Sequence, residues 1–379
     1  MIYEEIETGS RTRRTLTATA RILLALKLDG PLLIGIGLIA VYGLVVLYSA
    51  SGQSLEKVAD GAFRVLLGGV AMCVLAQVKP ALLRRVAPWL YVIGCILLLI
   101  VDVVGYIGKG AQRWLDLGFI RFQPSEIMKL AVPMACAWWL HERPVPPDTK
   151  TLIVLAFGIL VPTGLTIAQP DLGTGGLILI AGLLVVVMAG LQVKIMAGLA
   201  AAGAVVAYFG WSFLHDYQRR RVLTLLDPSA DPLGAGYHII QSQIAIGSGG
   251  VFGKGWLEGS QGQLEFLPER STDFIYAVIG EEFGMVGIVL LLLLYLFVVG
   301  RAVYLAIEMQ DTFARLLAGS IALTFFVYVF INAGMVSGML PVVGVPLPLI
   351  SYGGTSMVTL LASFGILMSL YSHRKLVGS

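Results

Sequence analysis

The sequence predicts an all-α polytopic membrane protein: about ten transmembrane helices, with a large extracytoplasmic loop between the seventh and eighth. Three observations predict it. Hydrophobic residues make up 57% of the 379 positions, charged residues only 13%, and mean hydropathy is +0.86. So few charges cannot cover a water-facing surface, where about 25% is usual. Ten stretches are apolar and long enough to cross a bilayer as helices, which takes about 20 residues each. They are 31–50, 61–78, 86–106, 124–141, 150–169, 173–192, 194–214, 273–300, 313–338 and 352–372. This composition excludes a cytosolic enzyme, a secreted disulfide scaffold and a nucleic-acid binder. The balance of 26 basic against 23 acidic residues marks no polyanionic partner.

Taken in order, residues 1–30 read as a cytoplasmic segment, 31–373 as one membrane domain and 374–379 as a cytoplasmic tail. The first stretch is too long for a signal-peptide core and reads as an uncleaved span. Lysine and arginine gather on one side. Arg11, Arg13, Arg14, Arg21 and Lys27 precede the first span; Lys79, Arg84 and Arg85 follow the second; Arg143 and Lys150 follow the fourth. Lys194, Arg301, Arg315, Arg374 and Lys375 complete that side. The positive-inside rule makes it cytoplasmic, with both termini.

Two unusual loops fall outside. One, 107–123, carries Lys109, Arg113, Trp114, Asp116 and Arg121. The other is 215–272, and connections of that length are usually functional. Within it, 237–246 reads as a short helix at the membrane surface. Its basic run, Arg219-Arg220-Arg221, suits phosphate head groups or a solvated patch equally. Its glycine-rich run, 247–255, fails the phosphate-loop pattern, because Ser248 and Gly255 stand where that pattern needs glycine and Ser or Thr. A flexible turn is the expectation there.

Cys73, Cys95 and Cys136 lie in apolar stretches and read as small buried hydrophobes. The histidines, His141, His215, His238 and His373, are scattered, with no zinc spacing. No cofactor is indicated, and a divalent cation is left open.

Ionisable residues at membrane depth are costly and therefore candidates for function. Gln123-Pro124-Ser125-Glu126 opens the fourth span, and Glu126 and Lys129 share a helix face three residues apart. They suit a polar cavity open to the outside; the plainer alternative is a carboxylate on the helix dipole neutralised by a lysine. Asp171 sits in the outer turn between the fifth and sixth spans, where aspartate is often structural. Asp273 opens the eighth span, with Ser271 or Thr272 as its cap, and fits an acceptor-activating base at the outer edge. Glu281 and Glu282 lie about 12 Å deeper at 1.5 Å per residue, and one of them is expected to face the bundle interior. The last outer loop, 339–356, holds three prolines among apolar residues, and irregular backbone at membrane depth belongs inside protein or beside a water-filled cavity. Its end, Gly353-Gly354-Thr355-Ser356, offers amides to an anion or forms a packed re-entrant turn. These features fit an enzyme acting on a lipid-linked substrate, and they fit a transporter.

Asn332, Gly338, Pro341, Gly344 and the run from Pro346 to Ser356, PLPLISYGGTS, resemble the signature of the SEDS (shape, elongation, division and sporulation) family of bacterial cell-wall proteins. The run from Leu267 to Ile275, LPERSTDFI, is similar too, and HDYQR at 215–219, GYHIIQS at 236–242, GWL at 255–257 and KGAQRWLDLG at 109–118 look like its elongation branch. The resemblance covers about 28–375; residues 1–27 match nothing in it.

The resemblance implies a peptidoglycan glycosyltransferase of the cytoplasmic membrane, acting in elongation and rod-shape maintenance. It would join lipid II, a disaccharide-pentapeptide on undecaprenyl pyrophosphate, to a growing glycan strand at the outer face. Asp273 matches the family's catalytic aspartate, and Glu126 and Lys129 match residues of the same cavity. Arg113, Trp114, Gln123, Asp171, Glu281, Glu282, Ser351, Gly353 and Thr355 are supporting or substrate-binding candidates. The implied partners are a class B penicillin-binding protein that crosslinks the glycan, the cell-elongation complex and membrane lipids, with no nucleic acid. The competing class is a lipid II flippase. A flippase needs polar groups reachable from both sides, whereas these gather at the outer face.

Overall fold

The computed structural model describes residues 18–108, 111–116, 121–210, 216–230, 234–263, 266–267 and 269–374. Lys109, Leu117, Gly118, His215 and Pro268, and the ends 1–17 and 375–379, belong to the sequence reading but lie outside the described residues.

A helix covers each predicted apolar stretch. After a short α1 (Ala18–Ala25) come α2 (Gly30–Ala50), α3 (Leu55–Gln77), α4 (Pro80–Val104), α5 (Pro124–Leu140), α6 (Thr149–Ala168), α7 (Leu172–Met188) and α8 (Val193–Gly210). The large loop contributes α9 (Asp216–Leu226), α10 (Ala235–Ser248) and α11 (Ser260–Gln263), and then α12 (Ile275–Ile307), α13 (Thr312–Val336) and α14 (Thr355–Ser372) follow. Among the described residues, seven helices are long and apolar enough to cross a membrane: α2, α3, α4, α6, α12, α13 and α14. This is a multi-pass helical membrane protein.

The helix starts follow local chemistry. Asp29, Ser54, Asp148, Asp171 and Asp311 each turn a side-chain oxygen onto an amide of the first turn, the usual way to satisfy orphan N–H groups. Asp29 also takes a bidentate ion pair from Arg301, with Nη2 at 2.7 Å and Nε at 3.0 Å.

Burial sorts the helices. In α13, 67% of the apolar window is buried, against 17% in α3, so α13 is central and α3 peripheral. Trp89, Phe157 and Leu293 stay exposed, as side chains facing lipid do.

Two parts differ from the sequence reading. The loop 107–123 is not all irregular: three short antiparallel strands, β1 (Tyr106–Gly108), β2 (Ala111–Asp116) and β3 (Arg121–Phe122), form a sheet in the order β1-β2-β3. Trp114 pairs with Tyr106 in it.

The glycine-rich run is also not a flexible turn. It packs backbone to backbone against a break in α12. Gly284 has φ 63 and ψ −159, outside the helical region, so the α12 ladder is interrupted there. Segment 249–255 fills the gap. Met285 N and Val286 N donate to Gly250 O and Val251 O, and Lys254 N and Gly255 N donate to Glu281 O and Glu282 O, all at 3.0–3.1 Å. A Cβ on Gly284 would lie 2.3 Å from Gly253 N, so only glycine fits. From Gly284 to Arg301 is about 26 Å at 1.5 Å per residue, close to the thickness of a hydrocarbon core. By that measure the first turns of α12 stand at a membrane interface. The helix at 237–246 exists as part of α10; its Ser242 donates to Val336 O at 2.7 Å, tying it to the end of α13.

Candidate functional site

Glu126 lies in the first turn of α5, where Pro124 takes a position whose amide would be unpaired anyway. Its carboxylate is 5% exposed and held from two sides: Lys129 Nζ sits 2.7 Å away, and Thr359 Oγ1 donates to it at 3.0 Å. The Lys129 ammonium also lies 5.1 Å from the centre of the Tyr328 ring, within cation–π range. The pair faces a cavity of about 40 Å³ between α5, α13 and α14, also lined by Ser320, Thr324 and Ser363. That space holds a few waters and no sugar. Chemically, the arrangement can offer Lys129 to an anion that displaces the Glu126 contact.

The second cluster joins the sheet to the turn between α6 and α7. Arg113 Nε donates to Gln169 O at 3.2 Å, its Nη2 donates to Pro170 O, and its Nη1 lies 3.9 Å from Asp171 Oδ2. Gln123 Nε2 donates to the same Asp171 oxygen at 3.0 Å, while Asp171 Oδ1 caps α7 through Thr174 N at 3.1 Å. Asp171 is thus a structural cap and a charge partner at once.

The third cluster surrounds Asp273, which is half-buried. The sequence reading placed it in the first turn of its helix; instead α12 begins at Ile275 with Phe274 as the cap residue, so Asp273 stands just before it. The reason is local. The Thr272 hydroxyl donates to Glu269 Oε2 at 2.7 Å, so it does not cap the helix. Phe274 stacks on His238 of α10 with ring centres 5.4 Å apart. Gly344, at φ 72, lies beneath the carboxylate: a Cβ there would be 3.5 Å from Asp273 Oδ2.

Central α13 brings these clusters together. Tyr328, beside Lys129, and Asn332, which donates to Asp273 O at 2.9 Å, are one turn apart, about 6 Å along the axis. Asp171 is drawn in by Gly173, where a Cβ would lie 2.5 Å from Val343 O in the same loop as Gly344.

Glu281 and Glu282 are both buried, at 0% and 1% exposure, and both hold the large loop. Glu281 takes Lys254 Nζ at 2.7 Å, Gln261 N at 2.9 Å and Gly262 N at 3.2 Å. Glu282 accepts from the Ser49 hydroxyl of α2 and from the loop backbone at Leu257 and Gly259. Ser351 is 4% exposed and committed within the protein: it accepts from Leu347 N at 2.7 Å and donates to Thr272 O at 2.6 Å. Gly353 and Thr355 stay partly exposed, and Gly354 precedes α14 with no side-chain cap.

Arg219 to Arg221 lie on α9. Among the described residues, no group of three or more His, Cys, Asp or Glu is placed to hold a metal ion. Sequence reasoning missed Thr359, Tyr328 and Lys254, which are ordinary residues until the fold seats them.

The fold and these clusters define a multi-pass helical membrane protein with buried polar clusters around a central helix. The family model for the cell cycle proteins FtsW, RodA and SpoVE matches residues 31–376, and the chain belongs to that family. The peptidoglycan glycosyltransferase MrdB of Escherichia coli (strain K12) is 52% identical over 351 residues, covering 92% of this chain and 95% of that protein. A probable peptidoglycan glycosyltransferase FtsW of Trichlorobacter lovleyi is 34% identical over 364 residues, covering 92% and 94%. Among solved structures, a chain of a peptidoglycan synthase complex that coordinates polymerization and crosslinking aligns with a TM-score of 0.81 and 34% identity, covering 92% of this chain and 99% of that one. The Thermus thermophilus rod shape determining protein RodA aligns with a TM-score of 0.70 and 29% identity, covering 91% and 97%.

Proposed function

We propose that this protein is a peptidoglycan glycosyltransferase that polymerises lipid II at the outer face of the bacterial cytoplasmic membrane during elongation. The observation that carries the reading is the convergence on α13: Asn332 holds the backbone of the half-buried Asp273 before α12, and Tyr328, one turn away on α13, stands beside the buried Glu126–Lys129 pair. The 52% identity to a peptidoglycan glycosyltransferase supports the same reaction.

In this reading the acceptor sugar hydroxyl attacks the anomeric carbon of the lipid-linked strand. Asp273 takes the hydroxyl proton as the new C–O bond forms. The bond from the anomeric carbon to the pyrophosphate oxygen breaks with inversion, and undecaprenyl pyrophosphate leaves with the electron pair. A general base of this kind contributes about 10²–10⁴-fold. Lys129 stabilises the leaving pyrophosphate, for which a cation in a water-poor site is well suited. Glu126 and Thr359 hold that lysine in place until substrate arrives. Arg113, Gln123 and Asp171 brace the turn between α6 and α7, and Glu281 and Glu282 hold the large loop against α12. Both termini are cytoplasmic, and a class B penicillin-binding protein within the elongation complex receives the glycan.

Purified full-length protein, with and without that crosslinking partner, is given labelled lipid II, and polymer length is read on a gel. Glycan polymer from the parent and none from Asp273→Asn is the expected result. Transbilayer movement of lipid II in vesicles, with no polymer from either protein, would establish the flippase reading in its place.

A further inference from the structure

Three consecutive backbone carbonyls, those of Ser271, Thr272 and Asp273, each accept a hydrogen bond from the α13–α14 region. Tyr352 N donates to Ser271 O at 2.8 Å, Ser351 Oγ to Thr272 O at 2.6 Å, and Asn332 Nδ2 to Asp273 O at 2.9 Å. Two of these donors lie in the last outer loop. The third is a side chain inside α13, where asparagine is a poor helix former. Asn332 is 0% exposed, and its Oδ1 has no hydrogen-bond partner among the described residues, a cost that makes packing stability alone a poor account of an amide here. Its Nδ2 makes a second bond, to Val345 O at 2.7 Å. Both neighbours are carbonyl acceptors, so the NH₂ end must face them.

One amide therefore joins two stretches of non-helical backbone at the point where they meet. The first carries Asp273. The second carries Gly344, the residue before Val345, over which the Asp273 carboxylate rests. We infer that Asn332 is a positioning residue for the transfer reaction: by bonding Asp273 O and Val345 O together, it fixes where the Asp273 carboxylate stands. This inference rests on the glycosyltransferase reading with Asp273 as base. Asn332 touches no substrate in it and acts only through Asp273. A displacement of about 1 Å at such a base can cost on the order of 10²-fold in rate.

The test compares Asn332→Ala and Asn332→Ser in full-length protein with its crosslinking partner. Turnover is counted per folded molecule, with kcat and KM for lipid II measured separately. Ser242→Ala serves as the control, because it removes buried bonds to Ile239 O and Val336 O without touching either joined stretch.

A tenfold to hundredfold loss of kcat in Asn332→Ala, with KM within twofold, is expected. Asn332→Ser, which keeps one donor, falls between it and the parent. Ser242→Ala lowers thermal stability and leaves kcat per folded molecule near parental. Parental kcat per folded molecule in either Asn332 variant overturns the inference, and the serine variant decides it if the alanine variant does not fold. So does an equal loss of kcat in Ser242→Ala, since general loosening then accounts for the effect. Asp273→Asn is assayed alongside. If it polymerises at the parental rate, the base assignment itself fails; if it is inactive while Asn332→Ala is fully active, only the positioning role is lost.

Discussion

The Lys254 ammonium and the Glu281 carboxylate meet at 2.7 Å, joining the glycine-rich segment to α12 where the carboxylate has no solvent exposure. The same carboxylate takes amides from Gln261 and Gly262, so one buried acid organises both sides of the loop.

Glu281→Ala should loosen that loop. Removing one member of a buried pair costs on the order of 3–5 kcal/mol when the other is stranded. Lys254 keeps 29% side-chain exposure and can rehydrate, so about 2 kcal/mol is the expectation here. A lower unfolding midpoint in detergent and faster proteolytic cutting within 249–263 would show it. An unchanged midpoint and cutting pattern would mean the pair does not hold the loop.

Replacing the α5 lysine separates charge from geometry. Lys129→Ala should lower polymerisation by about tenfold or more, and Lys129→Arg by less, because a cation at the leaving pyrophosphate acts electrostatically. The alanine variant also leaves Glu126 buried with only Thr359. Parental rates from folded Lys129→Ala would reduce the pair to a structural cap.

Gly284→Ala should be poorly tolerated although it lies far from Asp273. Its φ of 63 is strained for alanine, and the Cβ would fall 2.3 Å from Gly253 N. A loss of about 2 kcal/mol or more in stability is expected, read as a lower yield of monodisperse protein and a lower unfolding midpoint. Parental yield and midpoint would show that segment 249–255 can move away at little cost.

The predicted sidedness can be read by labelling. Glu258 is exposed on the large loop, whereas Gly250 has φ 57 and would strain a substituted side chain. Glu258→Cys should react with an impermeant thiol reagent added outside intact spheroplasts. Protection there, with reaction only after the membrane is opened, would invert the topology.

Much of this architecture was legible because lipid imposes a simple code. Each apolar stretch became a helix within seven residues of its predicted bounds; α12 runs furthest past its stretch, to Ile307, and starts such as Leu55 come early, where Ser54 caps a helix longer than its apolar run. The Glu126–Lys129 contact was legible because spacing of three puts both on one face. Lys254–Glu281 was not, since nothing local distinguishes a loop lysine that reaches a buried acid from one in water. The glycine-rich run misled for a related reason. Its glycines signalled freedom, but the fold uses them for close backbone approach to Gly284, a residue that looks unremarkable inside an apolar helix. Asp273 was placed one step too far into its helix because the bond from Thr272 to Glu269 competes with capping.

The junction at Gly284 also sets an order of assembly. Residues 249–255 leave the ribosome before 281–286, so their amides and carbonyls have no partners until α12 has threaded into the bilayer. The connecting chain is short, and closing it costs little entropy once both ends are present. The junction between 249–255 and α12 is therefore completed only after the eighth hydrophobic segment has been synthesised and inserted. A nascent chain halted before that point would carry seven of its ten apolar stretches, with the amides and carbonyls of 249–255 still bonded to water.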